Sequence, residues 1–553
     1  MSRTSFGKVT TVALAAVMST SLFLSACGSN GSDNKTDASA SPSASTAPKG
    51  EKVDGGEITT AYLADPQGFI RFWATTTTST EVIDLVFSSL YDFNEKQDIV
   101  PDLAVGQPTF SDDKLAMTVK IRTDAKFSDG QPVTADDVVF TYNIPLNPDY
   151  KGPRKGTFEK VTKVEKVDDS TIKFSFKEPH AGFIDMMIYN ILPQHLLKDV
   201  AVKDMDKSEF FKKPIGSGPY KLDEWKQGQY LKFSRVDSYF GGKPAIEKVN
   251  AKIVADANAM MAQLQTGEIN VVAVPADQLA AIEQFTKTSP DKLKLQKGIK
   301  ASTYSFVAWN LNNPLFQDKK VRQALSTAID RQAIIDGVAE GQGVIVNSQT
   351  PPTYWNYTDS VPKFDFNAEK AKQLFAEAGW KDTDGDGILD KDGKKFEFEM
   401  QNIQGNKVRE KAMTVIQQQL KKVGVVVNTR LFEGSAFSKN FQGKNFESIY
   451  YAWSISGDPN PKGIWHSAEI ETGLNTVSYK NPEVDKLIDE DLLTFDKNKR
   501  KEILGKVDAL IAEDQPYTFL YSPTTTMAYP AKLEGFNAER DSLKEVEKWY
   551  FTK

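Results

Sequence analysis

One cysteine in 553 residues, Cys27, rules out any disulfide within this chain. Whatever fold forms must be held by buried side chains rather than by crosslinks. The chain has the material for it, with 40% hydrophobic and 11% aromatic residues. Over about 500 residues that suffices for two or three domains.

The position of that cysteine is informative. Basic residues Arg3 and Lys8 precede an apolar run from Val9 to Leu24, interrupted only by small hydroxyl residues, and then Leu24-Ser25-Ala26-Cys27. A basic start, an apolar stretch too short to span a bilayer and a small residue at the cut mark a signal peptide over residues 1–26. The cysteine after the small residues resembles a bacterial lipoprotein signal. That resemblance implies cleavage before Cys27 and a diacylglyceryl group on its sulfur, and two acyl chains anchor stably where one does not. The competing reading is an ordinary signal peptide with an incidental cysteine. After Cys27, residues 28–52 are mostly Ser, Ala, Asp, Thr, Pro, Gly and Lys with no large apolar side chain, which predicts a lipid-anchored flexible spacer over 27–52. No later apolar segment approaches membrane-spanning length, so the expected place is the outer face of the cell membrane, anchored at Cys27. Losing Arg3 and Lys8 with residues 1–26 takes the formal charge from −6 to −8. That balance leaves no footprint for nucleic acid or for anionic lipid.

Folded structure is expected from about Gly55. Leu115–Ile121, Thr171–Phe176 and Tyr230–Arg235 read as strands bounded by turn residues. Asn367 can cap a helix carrying Ala371, Leu374, Phe375 and Ala378 that stops at Gly379. Asp318 can cap another with Val321, Ala324, Leu325, Ala328 and Ile329 on one face. A third, with Ala412, Val415, Ile416, Leu420 and Val423, ends at Gly424 and runs into Val425–Thr429. Helix, glycine and β-branched strand make the unit of a layered α/β sheet. There is no internal repeat.

Catalytic patterns are scarce. His180, His195 and His466 are scattered, and no zinc-protease helix, phosphate loop or nucleophile elbow occurs. Gly216-Ser217-Gly218, followed by Pro219-Tyr220, reads as a turn. Nothing singles out a carboxylate pair among 74 acidic residues. Asp382, Asp384, Asp386, Gly387 and Asp390 fill the first, third, fifth, sixth and ninth places of an EF-hand loop. The twelfth, where a glutamate should close the site, is Gly393. Gly379 ends the helix before this run and Lys394-Lys395-Phe396 begins a strand, so a turn rich in Asp and Gly explains it equally well. No metal and no cofactor is assigned.

The run Phe127-Ser128-Asp129-Gly130-Gln131-Pro132-Val133-Thr134-Ala135-Asp136-Asp137-Val138-Val139-Phe140 reads physically as a turn and a helix. Thr134 caps it, with two carboxylates in the first turn. As a pattern it resembles the family 5 extracellular solute-binding proteins, the peptide and nickel receptors of ABC importers. Pro214–Tyr220, Val321–Leu325, Ala376–Trp380 and Glu513–Tyr517 resemble the same family in the same order, so the likeness covers 55–553. It is nearest to oligopeptide-binding lipoproteins of Gram-positive bacteria, through Asp382–Gly387 and Gln515–Tyr521.

The resemblance implies an α/β, two-lobed periplasmic-binding-protein-like fold (type II, cluster C) with an extra domain inserted in the first lobe. Carried onto this chain, the first lobe takes 53–89, 179–300 and 522–553, the insert 90–178 and the second lobe 301–521. It implies a non-enzymatic, monomeric receptor that captures oligopeptides between the lobes by backbone hydrogen bonding. Its partners would be an ABC permease and that permease's ATPase subunits. An oligosaccharide receptor remains open on the same fold, nickel or heme less so with three scattered histidines, and a surface lipoprotein hydrolase is the rival from another class.

The resemblance also implies binding residues. Thr77, Thr78 and Ser79 match the loop after the first strand that pairs with peptide backbone. Ala452, Trp453 and Ser454 match the opposite wall, with Trp453 lining a side-chain pocket, and Tyr521 is a weaker third candidate. Peptide receptors that grip the ligand ammonium carry an aspartate three residues after that tryptophan, where this chain has Ser456. The nearest acid is Asp458, either a loose substitute or the first residue of a turn before Pro459.

Overall fold

A computed structural model describes residues 50–94, 98–300, 302–455, 457–471, 473–537 and 543–553. The predicted signal peptide, Cys27 and Ser456 lie outside the described residues. Strand pairing begins at Lys52–Val53, which ladders onto Phe551–Thr552. That is one residue inside the expected spacer.

The first lobe is built on a four-stranded sheet. β1 (Glu57–Tyr62) runs parallel to Lys248–Ile253, which pairs antiparallel with Tyr230–Arg235 and so on to Tyr220–Lys226. Ile58, Leu231, Phe233, Val249 and Ala251 face inward and are buried, while Glu57, Lys232 and Lys252 alternate outward. After β1 comes α1 (Thr77–Val86). A second, antiparallel sheet orders Thr109–Phe110, Ala116–Lys120, Thr171–Phe176 and Val161–Asp168. Against it lies α2 (Ala135–Asn143), whose Asp137 carboxylate accepts from the N–H (2.8 Å) and hydroxyl (2.7 Å) of Thr134. The core does not divide at the expected insert: Met117, Val119, Ile172 and Phe174 join one cluster with Ile58, Phe69, Phe72 and Leu90.

The chain enters the second lobe from β2 (Leu293–Lys300) to β3 (Thr303–Trp309). The expected helices follow with their caps. Asp318 accepts from Lys320 N–H at the head of α3 (Lys319–Thr327), and Asn367 from Lys370 N–H at the head of α4 (Ala368–Glu377). β4 (Glu397–Ile403), α5 (Lys407–Lys421) and β5 (Val426–Phe432) form the predicted helix–glycine–strand unit, Gly424 adopting φ +84°. Next come β6 (Ser448–Ser454), α6 (Pro482–Leu492), α7 (Lys497–Asp514) and β7 (Tyr517–Pro530).

One sheet runs through both lobes, in the order Val272–Val274, β7, β3, β6, β4, β5. β7 carries the continuity: 517–521 pair with β3, and 524–530 pair with β2. Among the described residues the chain therefore passes between the lobes from β2 to β3 and again within β7, at 521–524. In the second lobe, alternation on β3 sends Val307 and Trp309 to one core and Tyr304, Phe306 and Ala308 to the other. No helix among the described residues is long and apolar enough to cross a membrane.

Candidate ligand-binding cleft

β6 ends beside a crossing. Ser454 stands opposite Thr303, and Ile455 N–H donates to Ser302 at 2.9 Å. The last side chains of β6 are thus held at the boundary of the lobes. Trp453 is half-buried, and its packed side meets a block of aromatics. Its ring lies 6.3 Å from Phe306, near parallel, and 5.7 Å from both Phe441 and Tyr451. Ser454 is exposed and Ala452 half-buried. The Arg409 guanidinium sits 5.5 Å from the Tyr451 ring, so a cation edges the same platform.

Tyr521 belongs to packing. A register shift on β7 pairs Phe519 with Phe306 and Tyr521 with Ser305, so Tyr521 turns to the face opposite Phe519. There it is buried, its ring closing over Gly343, where a Cβ would come within 2.9 Å of it. Simple alternation would have given Tyr521 the face of Phe519.

The Thr77–Ser79 segment is not a loop. Thr76 caps α1, its side chain accepting from Ser79 N–H at 3.3 Å, and Thr77, Thr78 and Ser79 form the first helical turn. Ser79 is fully buried, and its hydroxyl accepts from Gln67 N–H at 2.8 Å. Thr77 is exposed and Thr78 half-buried, leaving two hydroxyls and a helix N-terminus as what this segment presents. Pro214–Tyr220 packs on the other end of α1: Gly218 N–H donates to Val86 at 2.8 Å, and a Cβ on Gly216 would stand 2.0 Å from that carbonyl oxygen. The glycines there serve close backbone packing.

Asp458 does not offer a free carboxylate. It opens a turn, Oδ1 accepting from Asn460 N–H at 3.2 Å, and the same oxygen accepts from Arg500 Nη2 at 2.5 Å. Arg500 also donates to Asp491 at 2.9 and 3.0 Å, and all three side chains are at most 7% exposed. Burial opposes the Arg500 charge, but the two carboxylates hold its proton more tightly than usual. An ammonium partner for Asp458 would have to compete with this buried pair.

The aspartate loop satisfies itself. Asp382 accepts from Gly385 and Gly387 N–H, Asp390 from Thr383, and the Lys395 ammonium bridges Asp384 (2.6 Å) and Asp386 (2.9 Å). Asp382, Asp384 and Asp390 converge within 4.8 Å, but the lysine supplies the local counter-charge. The histidines stay apart: His195 pairs with Asp129 at 2.8 Å, His466 lies 3.3 Å from Asp489, and His180 is buried elsewhere.

Sequence reading missed Gly182, Asp185, Asp491 and Arg500, which surround Asp458. They are distant from it in the chain, and only the arginine–aspartate pairing has a chemical logic a reader could have guessed.

Two lobes on a shared sheet, with an aromatic platform at the crossing, define a two-lobed solute-binding protein. The chain belongs to the bacterial extracellular solute-binding proteins, family 5, whose description matches residues 98–471. It is 43% identical to the oligopeptide-binding protein AppA of Bacillus subtilis over 99% of both chains. It is 26% identical to the dipeptide-binding protein of Escherichia coli over 85% of this chain and 90% of that one. Among solved structures, AppA of B. subtilis in complex with a nonapeptide matches at TM-score 0.73 and 43% identity, covering 91% of this chain and all of that one. The substrate-binding protein CtaP of Listeria monocytogenes matches at 0.79 and 28%, covering 90% and 100%.

Proposed function

We propose that this protein is the extracellular substrate-binding component of an ABC importer, taking oligopeptides between its lobes by backbone hydrogen bonding and delivering them to a permease. In this reading 53–89, 179–300 and 522–553 move as one lobe with the insert 90–178, and 301–521 as the other. The observation that carries it is the end of β6, where a half-buried tryptophan and an exposed serine stand at a lobe crossing. The relative at 43% identity is named for oligopeptides and holds a nonapeptide in its complex. An extended peptide needs main-chain partners and tolerant side-chain pockets, and an aromatic wall supplies the second.

The anchor at Cys27 belongs to the same reading, because tethering raises the local concentration of receptor at a permease. Membrane release of a C27S variant, with lipid labelling lost, is the expected outcome; retention of that variant on the membrane would contradict the anchor. Native mass spectrometry of the purified protein tests the cargo. Co-purifying peptides of mixed sequence are expected, whereas a bound oligosaccharide, or cleavage products accumulating from added peptide, would replace this reading.

A further inference from the structure

The lobes touch through an acid. Ala181–Met186 forms a turn of 3-10 helix on the first lobe, and Gly457 and Asp458 of the second lobe lie against it. A Cβ on Gly182 would stand 1.7 Å from Asp458 Oδ2 and 2.1 Å from its Cγ, so only glycine admits this approach. A Cβ on Gly457 would lie 3.6 Å from the Asp185 carbonyl oxygen. Neither segment belongs to β2, β3 or the 521–524 stretch of β7 where the chain passes between the lobes. The contact can therefore form and break while the hinge strands stay paired.

The charges at this contact do not balance. Asp185, 7% exposed, faces Asp458 from the loop after β6, Asp491 from α6, and Arg500 and Lys497 from α7, with the Tyr354 hydroxyl nearby. Arg500 is committed to Asp458 and Asp491. Lys497 is half-exposed and pairs with Asp98 of the first lobe. On its own turn, His180 is held down to about 4 by burial and its Nδ1 is unpartnered, so it adds no positive charge near neutrality. Three carboxylates thus meet one buried guanidinium. Burial, with Asp458 adding to it, pushes Asp185 up to about 7.

We propose that closing the lobes takes up one proton from solvent at the Asp185–Asp458 contact, making closure tighter as the medium turns from alkaline to mildly acidic. The inference rests on the binding-protein reading for its purpose but not for its test. In the open form Asp185 meets water and titrates in the usual carboxylate range. In the closed form its value is raised, so the closed form gains as pH falls and loses that gain as pH rises through about 7. Between pH 8 and pH 6 the closed-to-open ratio should rise about tenfold.

The test uses the full chain in detergent without peptide, with spin labels at V167C and L431C, both exposed positions on different lobes. Electron double resonance at the two pH values reads the short-distance and long-distance populations. The proposal expects the wild-type ratio to rise about tenfold towards pH 6, D185N to favour the short distance equally at both, and G182A to favour the long distance at both. A wild-type ratio unchanged with pH, or an undiminished pH response in D185N, overturns it. Since wild type alone can refute the proposal, a misfolded variant does not shelter it. Peptide titration of the same sample at pH 6 separates the two readings: a pH-driven shift without peptide binding removes the receptor function and leaves the latch.

Discussion

The indole N–H of Trp453 donates to the hydroxyl of Tyr517 at 3.4 Å, and Tyr517 in turn lies flat on Phe306, centroids 4.1 Å apart and planes within 2°. Tyr517 also meets Trp465 at 4.5 Å. The platform residue is therefore fixed by core aromatics on one side and left open on the other. That combination, a rigid anchor with free area, is what a side-chain pocket for varied ligands requires.

Replacing Trp453 with alanine should weaken peptide binding at least tenfold, about 1.4 kcal/mol. Because the ring is only half-buried, the stability loss should stay near 1–3 kcal/mol, and W453F should recover most of it. Calorimetric titration beside urea unfolding separates the two effects. Unchanged affinity in W453A would place the ligand elsewhere.

Removing the Arg500 guanidinium leaves Asp491 and Asp458 buried without a cation. R500A should cost about 3–5 kcal/mol in urea unfolding, and R500K distinctly less. A loss under about 1 kcal/mol would mean that the pair is solvated in solution.

Asp508 gives a pH signature. It is fully buried, accepts hydrogen bonds from Ser348, Gln349 and Thr350, and is pushed up to about 6 by that burial. A carboxyl raised in the folded state supports folding fully below its unfolded value of 3.8 and loses that support as pH rises through 6. Relative to D508N, wild type should therefore lose about 2 kcal/mol of unfolding free energy between pH 4 and pH 7. Parallel stability curves for the two proteins would refute this.

The aspartate loop should ignore calcium, since Lys395 already bridges Asp384 and Asp386. Melting temperature should be the same with chelator and with millimolar calcium. A calcium-dependent rise of several degrees would show that the ion displaces the lysine.

Local rules made much of the fold legible. Asn367 and Asp318 cap where a side-chain oxygen was needed, Gly424 turns the chain where a left-handed residue was needed, and Thr134 opens its helix with Asp137 beneath it. The site was harder because its determinants are not local. The resemblance placed Thr77, Thr78 and Ser79 in a loop, yet Thr76 is a cap and Glu81, Val82, Ile83, Leu85 and Val86 bury the far side of α1. The register shift that turns Tyr521 inward depends on β3, a partner strand far away in sequence. Asp458 could be placed in a turn from its neighbour Pro459, but its burial depends on Arg500 from α7 and on the missing side chain of Gly182. Those meetings exist only once the lobes are assembled.

Under the proposed function, the main-chain groups of a peptide are what the cleft holds. Calorimetric titration of a nonapeptide against versions methylated at successive backbone nitrogens measures this directly. Methylation within the central residues should weaken binding by tenfold or more, about 1.4 kcal/mol per lost bond, while alanine in place of single side chains should change it little. Equal affinity for the methylated and unmethylated peptides, with strong dependence on one side chain, would contradict backbone recognition.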